Sequence, residues 1–258
     1  MDPSSLKLYY VDDFDPRDII TTYGSPDSDA ALYEEMTVFP LKAVQRLVSS
    51  GTITGNILTD LSSGPLIAHL IPMAEYFRDI VLMKPNYFCL HEMEKWQFGE
   101  EDSFNWSHLS ELENDRNKWI EKEECTKSKI RNIMKCDLSK QNPIDPFVLS
   151  KADCMTCFFS LGENSIDRAT YCENIRRLSS LLNVGGHLIL SGLFNVKYFS
   201  IGEDKFHSLC IDEEFFRKVM ADAGFIVEHL EKLDSKASSD KAKYDQVFLA
   251  SAVKDREV

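Results

Sequence analysis

The chain has 258 residues, 43% of them hydrophobic and 28% charged, enough to bury a sizeable core as one large domain or two small ones. Lys and Arg number 29 against 42 Asp and Glu, a net charge of −13. An acid excess of that size excludes a nucleic-acid or anionic-membrane partner, because gripping phosphates needs a basic face. In chain order, Asp15 to Ser50 reads as a helical cap with a break at Gly24-Ser25-Pro26 and a kink or restart at Pro40. Asn56 to Leu61 is a short strand, Leu66 to Phe77 a helix, Asp79 to Met83 a strand and Tyr87 to Phe98 a helix. Trp106 to Arg131 is mostly helical, and Asn132 to Cys136 and Ala152 to Phe159 are strands.

Thr170 to Leu182 places Tyr171, Ile175, Leu178 and Leu182 at helical spacing, with Gly185-Gly186 as its stop and an apolar strand from His187 to Phe194. Asp212 caps a last helix that ends at Gly224, and Phe225 to Leu230 and Gln246 to Val253 close the chain as strands. Strands alternating with helices predict an α/β, doubly wound, mostly parallel sheet. The final two strands have no helix between them, which predicts an antiparallel edge. The expectation is a single domain over 1–258, with a helical cap over 1–50 and an acidic helical insertion over 92–131.

Between Glu92 and Glu124 stand 11 acids and 4 bases, so more than half of the net charge is concentrated there. A solvated helical face is one reading of that run, and a docking face for a basic protein partner is the other. No apolar run approaches the ~20 residues of a bilayer span, and the N-terminus lacks the pattern of a signal peptide. The seven cysteines are scattered and odd in number, which is unlike a disulfide framework. Cys154-Met-Thr-Cys157 lies in a buried strand with no second ligand pair, so it reads as core and no metal is expected. The six histidines show no paired spacing. These features together predict a soluble, intracellular, cytoplasmic protein.

In open α/β sheets ligands bind beyond the carboxyl ends of the strands, near the first strand. Here that place is Thr59-Asp60-Leu61-Ser62-Ser63-Gly64-Pro65. The segments Phe14-Asp15-Pro16-Arg17-Asp18, Ser63-Gly64-Pro65 after Asp60, and Leu90 to Trp96 occur in an order that carries a resemblance. Phe104-Asn105-Trp106-Ser107, Lys135-Cys136-Asp137, Ala152-Asp153-Cys154, Leu181 to Leu188 and Ile201 to Phe206 extend it over almost the whole chain. The sequence resembles the small-molecule N-methyltransferases of nicotinamide, phenylethanolamine and indolethylamine, which use S-adenosylmethionine. The resemblance implies a seven-stranded methyltransferase sheet with an N-terminal helical lid. It also implies a cofactor site containing Tyr23, Asp60, Ser63, Gly64, Pro65, Cys136, Asp137 and Leu138, with Ser208 kept beside it.

Several positions depart from the family pattern. Its first-strand turn reads Asp-Ile-Gly-Ser-Gly-Pro, and the first glycine is here Ser62; if positive φ is required there, a side chain costs ~1 kcal/mol or more. The ribose-binding acid is Lys84, a donor-only cation. It reads as a solvated lysine beside a vacated pocket, with a phosphate as its other partner. The family's loop asparagine aligns with Cys89, two acids near the acceptor align with Gly162 and Gly192, and two tyrosines with Ile19 and Phe199. Asp137 is expected to hold an adenine amino group or to cap the following turn. Tyr9, Tyr10, Phe14 and Tyr23 form either lid core or an acceptor cage. Losing several bonds in one pocket at ~1–3 kcal/mol each predicts a pseudo-methyltransferase serving as a protein-binding or scaffold subunit. The alternatives are an active N-methyltransferase with a remodelled pocket, and a site for another phosphorylated nucleotide through Lys84.

Overall fold

The computed structural model describes residues 6–258 apart from 12, 28, 114 and 115, and apart from the side chains of 113 and 116. Its centre is a seven-stranded sheet in the order β3-β2-β1-β4-β5-β10-β8. The strands are β1 (Gly55–Asp60), β2 (Phe77–Lys84), β3 (Ile130–Lys135), β4 (Ala152–Phe158), β5 (Leu182–Phe194), β8 (Phe225–Asp234) and β10 (Gln246–Lys254). β3, β2, β1, β4 and β5 run parallel, and β10 is antiparallel to both β5 and β8, as the missing helix between the last strands requires. A small antiparallel sheet of β6 (Tyr198–Ile201), β7 (Asp204–Phe206) and β9 (Ala242–Lys243) stands apart from this frame. The reading of the sequence did not contain it, because its strands are short.

The helices are α1 (Pro16–Ile19), α2 (Ala30–Tyr33), α3 (Phe39–Ser49), α4 (Tyr87–Phe98), α5 (Arg116–Lys129), α6 (Arg168–Leu181) and α7 (Glu213–Asp222). Polar caps set their starts: Asn86 Oδ1 accepts from Phe88 N at 2.9 Å, Asp167 Oδ1 from Thr170 N at 2.7 Å and Asp212 Oδ1 from Phe215 N at 2.7 Å. α7 ends as expected at Gly224, whose φ of +80° suits a residue without Cβ. The core divides over the two sheet faces. One cluster joins the cap to Trp96, Trp106 and Trp119, and the other joins α6 and α7 to Val81, Met155 and Leu190.

Two expectations are corrected and two hold. Leu66 to Phe77 is a chain of turns with one 3-10 turn at Ala74–Tyr76, because Pro72 has no N–H for a helical ladder and His69 is drawn inward. Gly185-Gly186 does not stop a helix; α6 ends at Leu181 and both glycines lie inside β5. Of the kink or restart expected at Pro40, the restart is present: α3 begins at Phe39 with the proline in its first turn. The turn before it widens over Glu34–Val38, and Phe39 N–H bonds back five residues to Glu34, so the proline's missing donor is absorbed. The mostly helical stretch expected from Trp106 to Arg131 is present as a 3-10 stretch, Ser107–Glu113, followed by α5, and β3 begins at Ile130. Among the described residues no helix is long and apolar enough to cross a membrane, and no group of three or more His, Cys, Asp or Glu is placed to hold a metal ion.

Candidate functional site

The carboxyl end of β1 delivers Asp60 into the protein interior with no exposed surface. Four donors surround its carboxylate. Oδ1 accepts from Ser62 Oγ at 2.5 Å, His69 Nε2 at 2.8 Å and Thr156 Oγ1 at 2.8 Å, and Oδ2 accepts from Lys84 Nζ at 2.9 Å. Burial pushes the Asp60 carboxyl up, but the Lys84 ammonium and then His69 outweigh it and hold the group far below the usual carboxylate range. Burial pushes His69 down more than Asp60 raises it, so the imidazole is neutral and donates through Nε2.

Lys84 is fully buried, and its second bond goes to the Ser62 carbonyl at 3.0 Å. The expectation of a solvated lysine at a vacated pocket is therefore corrected, and so is that of a lysine meeting a phosphate. With a buried carboxylate on one side and a carbonyl on the other, the ammonium is satisfied inside the fold. Ser62 is corrected as well. The positive φ of the turn belongs to Gly64, at +66°, and not to residue 62, so the serine carries no left-handed strain. Its hydroxyl accepts from Phe158 N at 3.0 Å while donating to Asp60.

The N-terminal segment covers the turn from above. Gly64 N–H donates to Tyr9 Oη at 2.7 Å, and the same phenol shares a hydrogen bond with Cys89 Sγ at 3.4 Å. A Cβ on Gly64 would lie 2.9 Å from Ile19 Cγ2, so Ile19 sits directly on the glycine. Ser63 Oγ is hydrogen-bonded to Glu163, whose carboxyl is pushed up to about 8 by burial despite that bond. The space left at this inner end is a cavity of about 40 Å³ among Tyr9, Tyr23, Leu66, Phe159, Glu163 and Phe199. That is room for a water or two, at ~30 Å³ each. The places of the two missing acids are also filled. A Cβ on Gly192 would meet the Phe248 ring at 3.0 Å, and one on Gly162 would meet Ser208 Oγ at 2.8 Å.

The outer end differs. A cleft of about 500 Å³ opens between the segment after β3 and the first turns of α6, with Tyr10, Pro85, Asp137, Leu138, Ile166 and Arg177 in its wall. Asp137 Oδ1 accepts from Ser139 N at 2.9 Å and Ser139 Oγ at 2.6 Å, which holds the carboxyl below its ordinary range. The turn-capping role expected of Asp137 is thus present. The two cavities share no lining residue. Tyr9 and Tyr10 are central residues of one turn, closed by Val11 N to Leu8 O at 3.0 Å, and they face opposite chambers. Glu163 and Asn164 divide in the same way.

Of the residues expected at a cofactor site, Ser63 and Tyr23 line the inner cavity, and Gly64 and Asp60 lie in the wall and floor beneath it. Cys136, Asp137 and Leu138 line the outer cleft, and Pro65 follows the turn as a buried residue. Tyr23 is tied into the cap: its hydroxyl meets the Ser200 carbonyl at 2.9 Å and the Lys241 carbonyl at 3.1 Å and accepts from Ser200 N at 3.2 Å. Sequence reasoning did not assign Glu163, His69 or Thr156. An acid one residue past Gly162 was the only signal of the first, and none marked the others. Cys154 and Cys157 fall on opposite sheet faces with thiols pushed up by burial, as core cysteines do.

Residues 4–255 match the NNMT/PNMT/TEMT family. Indolethylamine N-methyltransferase of Mus musculus is 32% identical over 219 residues, covering 83% of each chain. Nicotinamide N-methyltransferase of Homo sapiens is 31% identical over 243 residues, 93% of this chain and 92% of that protein. Among solved structures, the N-methyltransferase NodS of Bradyrhizobium japonicum WM9 with S-adenosylhomocysteine aligns at TM-score 0.54 and 10% identity over 95% of this chain and all of that one, a likeness of fold. Set against a ligand of base, ribose and methionine, the residues present fit at one end. The outer cleft has the size of a ligand pocket, whereas the inner turn has its polar groups bonded to protein and little free volume. The chain belongs to the NNMT/PNMT/TEMT family of S-adenosylmethionine-dependent N-methyltransferases and has the class I methyltransferase fold.

Proposed function

We propose that this chain is a degenerate member of its family, a methyltransferase fold that acts by binding rather than by transferring methyl groups. The observation that carries this reading is the Lys84 ammonium, buried between Asp60 and the Ser62 carbonyl at the family's ribose-binding position. Methyl transfer asks the protein mainly to hold donor against acceptor, so losing the donor site removes the reaction itself. Titration of S-adenosylmethionine and S-adenosylhomocysteine by calorimetry tests it. Dissociation constants well above ~100 μM are expected, and binding below ~10 μM overturns the reading.

The family match favours a second reading, an active S-adenosylmethionine-dependent N-methyltransferase of a small amine or pyridine. The kept Ser63-Gly64-Pro65 and Asp137 support it too. Methylation of nicotinamide or a phenylethylamine above a no-protein control would establish that reading and sink the first. Under the binding reading, a basic protein partner docks on segment 92–124. Glu92, Asp102, Glu123 and Glu124 are already paired with Arg17, Lys95 or Lys127, and Glu94 lies 3.5 Å from His91 Nδ1. Asp115 and the Glu113 side chain lie outside what the structure describes. The face therefore reduces to Glu100, Glu101, Glu111 and Glu121. Converting these four to Gln should abolish capture of a basic partner; retained capture returns the segment to plain solvation.

A further inference from the structure

We propose that a groove between the C-terminal end of α3 and the open face of β10 and β8 is a second binding site, separate from the cofactor cleft, whose ligand is a primary alkylammonium ion. The site stands apart from the function proposed above and does not depend on it. Three observations carry it.

The first is where polar groups stand on the sheet. On the face beneath the cap, β10 presents Val247 and Leu249 and β5 presents Ile189, all in the apolar core. One step further along each strand, where α3 ends, the same columns continue as Ser251 and His187. Ser251 is 1% exposed, and among the described residues its hydroxyl makes no hydrogen bond. His187 Nδ1 is buried and also without a partner. Buried polar atoms are normally satisfied, so two orphans on adjoining strands point to a group supplied from outside.

The second is a bulge. Ser251 pairs with His229 and Ala252 with Val227, so Glu228 is an extra residue on β8. The shift brings Glu228 and His229, consecutive along the strand, into one groove. Glu228 is exposed and has no ion pair among the described residues, whereas Glu231 is held by Arg46 at 2.5 Å. Burial lowers the His187 imidazole against the pull of Glu228, so the ring is neutral and has a nitrogen able to accept.

The third is sign and size. α3 brings its last turn to the groove through Leu47, and a helix C-terminus is the negative end of the macrodipole. Carboxylate, hydroxyl, imidazole and helix end together favour a donor-rich cation. A primary ammonium has three N–H donors, one each for Glu228, Ser251 and His187, and its stem lies on Leu47 and Ile53. The groove holds about 250 Å³, short of the ~300–1,000 Å³ of larger ligand pockets and enough for one alkyl chain. It shares no lining residue with the inner cavity or the outer cleft. His187 lies beside Cys154, near the start of β4, and so away from Asp60 and Lys84 at the strands' carboxyl ends.

Calorimetry on the full chain with 1,5-diaminopentane and with Nα-acetyl-lysine N-methylamide tests the site and separates a free amine from a lysine side chain. At least one should bind with a dissociation constant below ~1 mM, and 1-pentanol, with the stem but no charge, should not. Tighter binding of the diamine assigns the groove to a free amine; tighter binding of the lysine derivative assigns it to a lysine of a protein. Glu228→Gln should weaken the better ligand about tenfold, and Glu214→Gln, on α7 across the sheet, should leave it unchanged. Glu228 is exposed, so its variant should keep the fold; Ser251→Ala, at a core-facing position, is the second variant and should weaken binding about threefold. The His187 ring resonances should move as ligand is added. Dissociation constants above ~1 mM for both amines would overturn the proposal. Equal losses in Glu228→Gln and Glu214→Gln would overturn it too, since they would show only the general pull of an acidic chain on any cation.

Discussion

At the outer end of the cleft Asp137 is exposed and bonded to Ser139 through one carboxylate oxygen; at the inner end Asp60 is buried and has both oxygens used by four protein donors. The two acids stand at the carboxyl ends of parallel strands of one sheet, β1 and β3 with β2 between them, and both belong to the segments through which the chain resembles its family. What separates them is the neighbour that each has acquired. A lysine at the end of β2 reaches down to Asp60, and a hydroxyl at residue 62 completes the cage, so the floor of the site has become core. Nothing comparable has grown over Asp137. A site loses a ligand most completely when the protein's own groups take over its hydrogen bonds, because the bonds are then made without any ordering of a second molecule.

Removing Lys84 is the strongest way to break this contrast. Lys84→Ala would leave Asp60 ionised and buried with neutral partners only. Losing one member of a buried pair costs ~3–5 kcal/mol, so the variant should melt far below the parent. Lys84→Met, with Asp60→Asn added, removes both charges and should recover most of that loss. A single Lys84→Ala variant as stable as the parent in urea would show that the pair is not what holds the floor of the site together.

How much of this was legible beforehand depended on whether local sequence or distant packing decided the outcome. The alternation of strands and helices, the antiparallel edge and the cap at Asp212 follow from periodicity and from a side chain that bonds three residues away. The replacements at Ser62, Lys84, Gly162 and Gly192 were legible as well. Their consequence was not. An exposed and a buried lysine look alike in sequence, and Lys84 is buried because Asp60, 24 residues earlier, faces it across adjacent strands. The filling of residues 162 and 192 by Ser208 and Phe248 likewise depends on partners 46 and 56 residues away. Leu66 to Phe77 failed for a local reason, since its apolar spacing was helical but Pro72 lies in its middle.

A pH series sharpens the contrast between the two ends with a smaller effect. Glu163 has a carboxyl pushed up to about 8 by burial in the folded protein, against ~4.3 in an unfolded chain. Its folded value is the higher one, so its contribution is fully present below ~4.3 and is lost as pH rises toward and through 8. Between those limits the unfolded chain sheds the proton and the native state keeps it. Stability should therefore fall from pH 5 to pH 9 by something on the order of 3 kcal/mol, and Glu163→Gln should flatten that slope. Tyr9, Tyr23, Cys89 and Cys157 all feel Glu163, and burial raises each of them. His69, lowered by burial, runs the opposite way, because the unfolded imidazole takes up a proton below ~6.5 that the native one resists, so the Glu163 contribution is read as the difference between Glu163→Gln and the parent. Asp137 runs the other way: Ser139 lowers it, so its contribution is present above ~3.9 and fades only as pH falls below that. Being largely solvated, it should move stability by less than ~0.5 kcal/mol, and Asp137→Asn should leave the slope between pH 5 and pH 9 untouched. Urea melts of both variants across that range would separate a buried inner acid from a solvated outer one. Equal slopes in Glu163→Gln and the parent would place Glu163 in water and remove one side of the inner cavity.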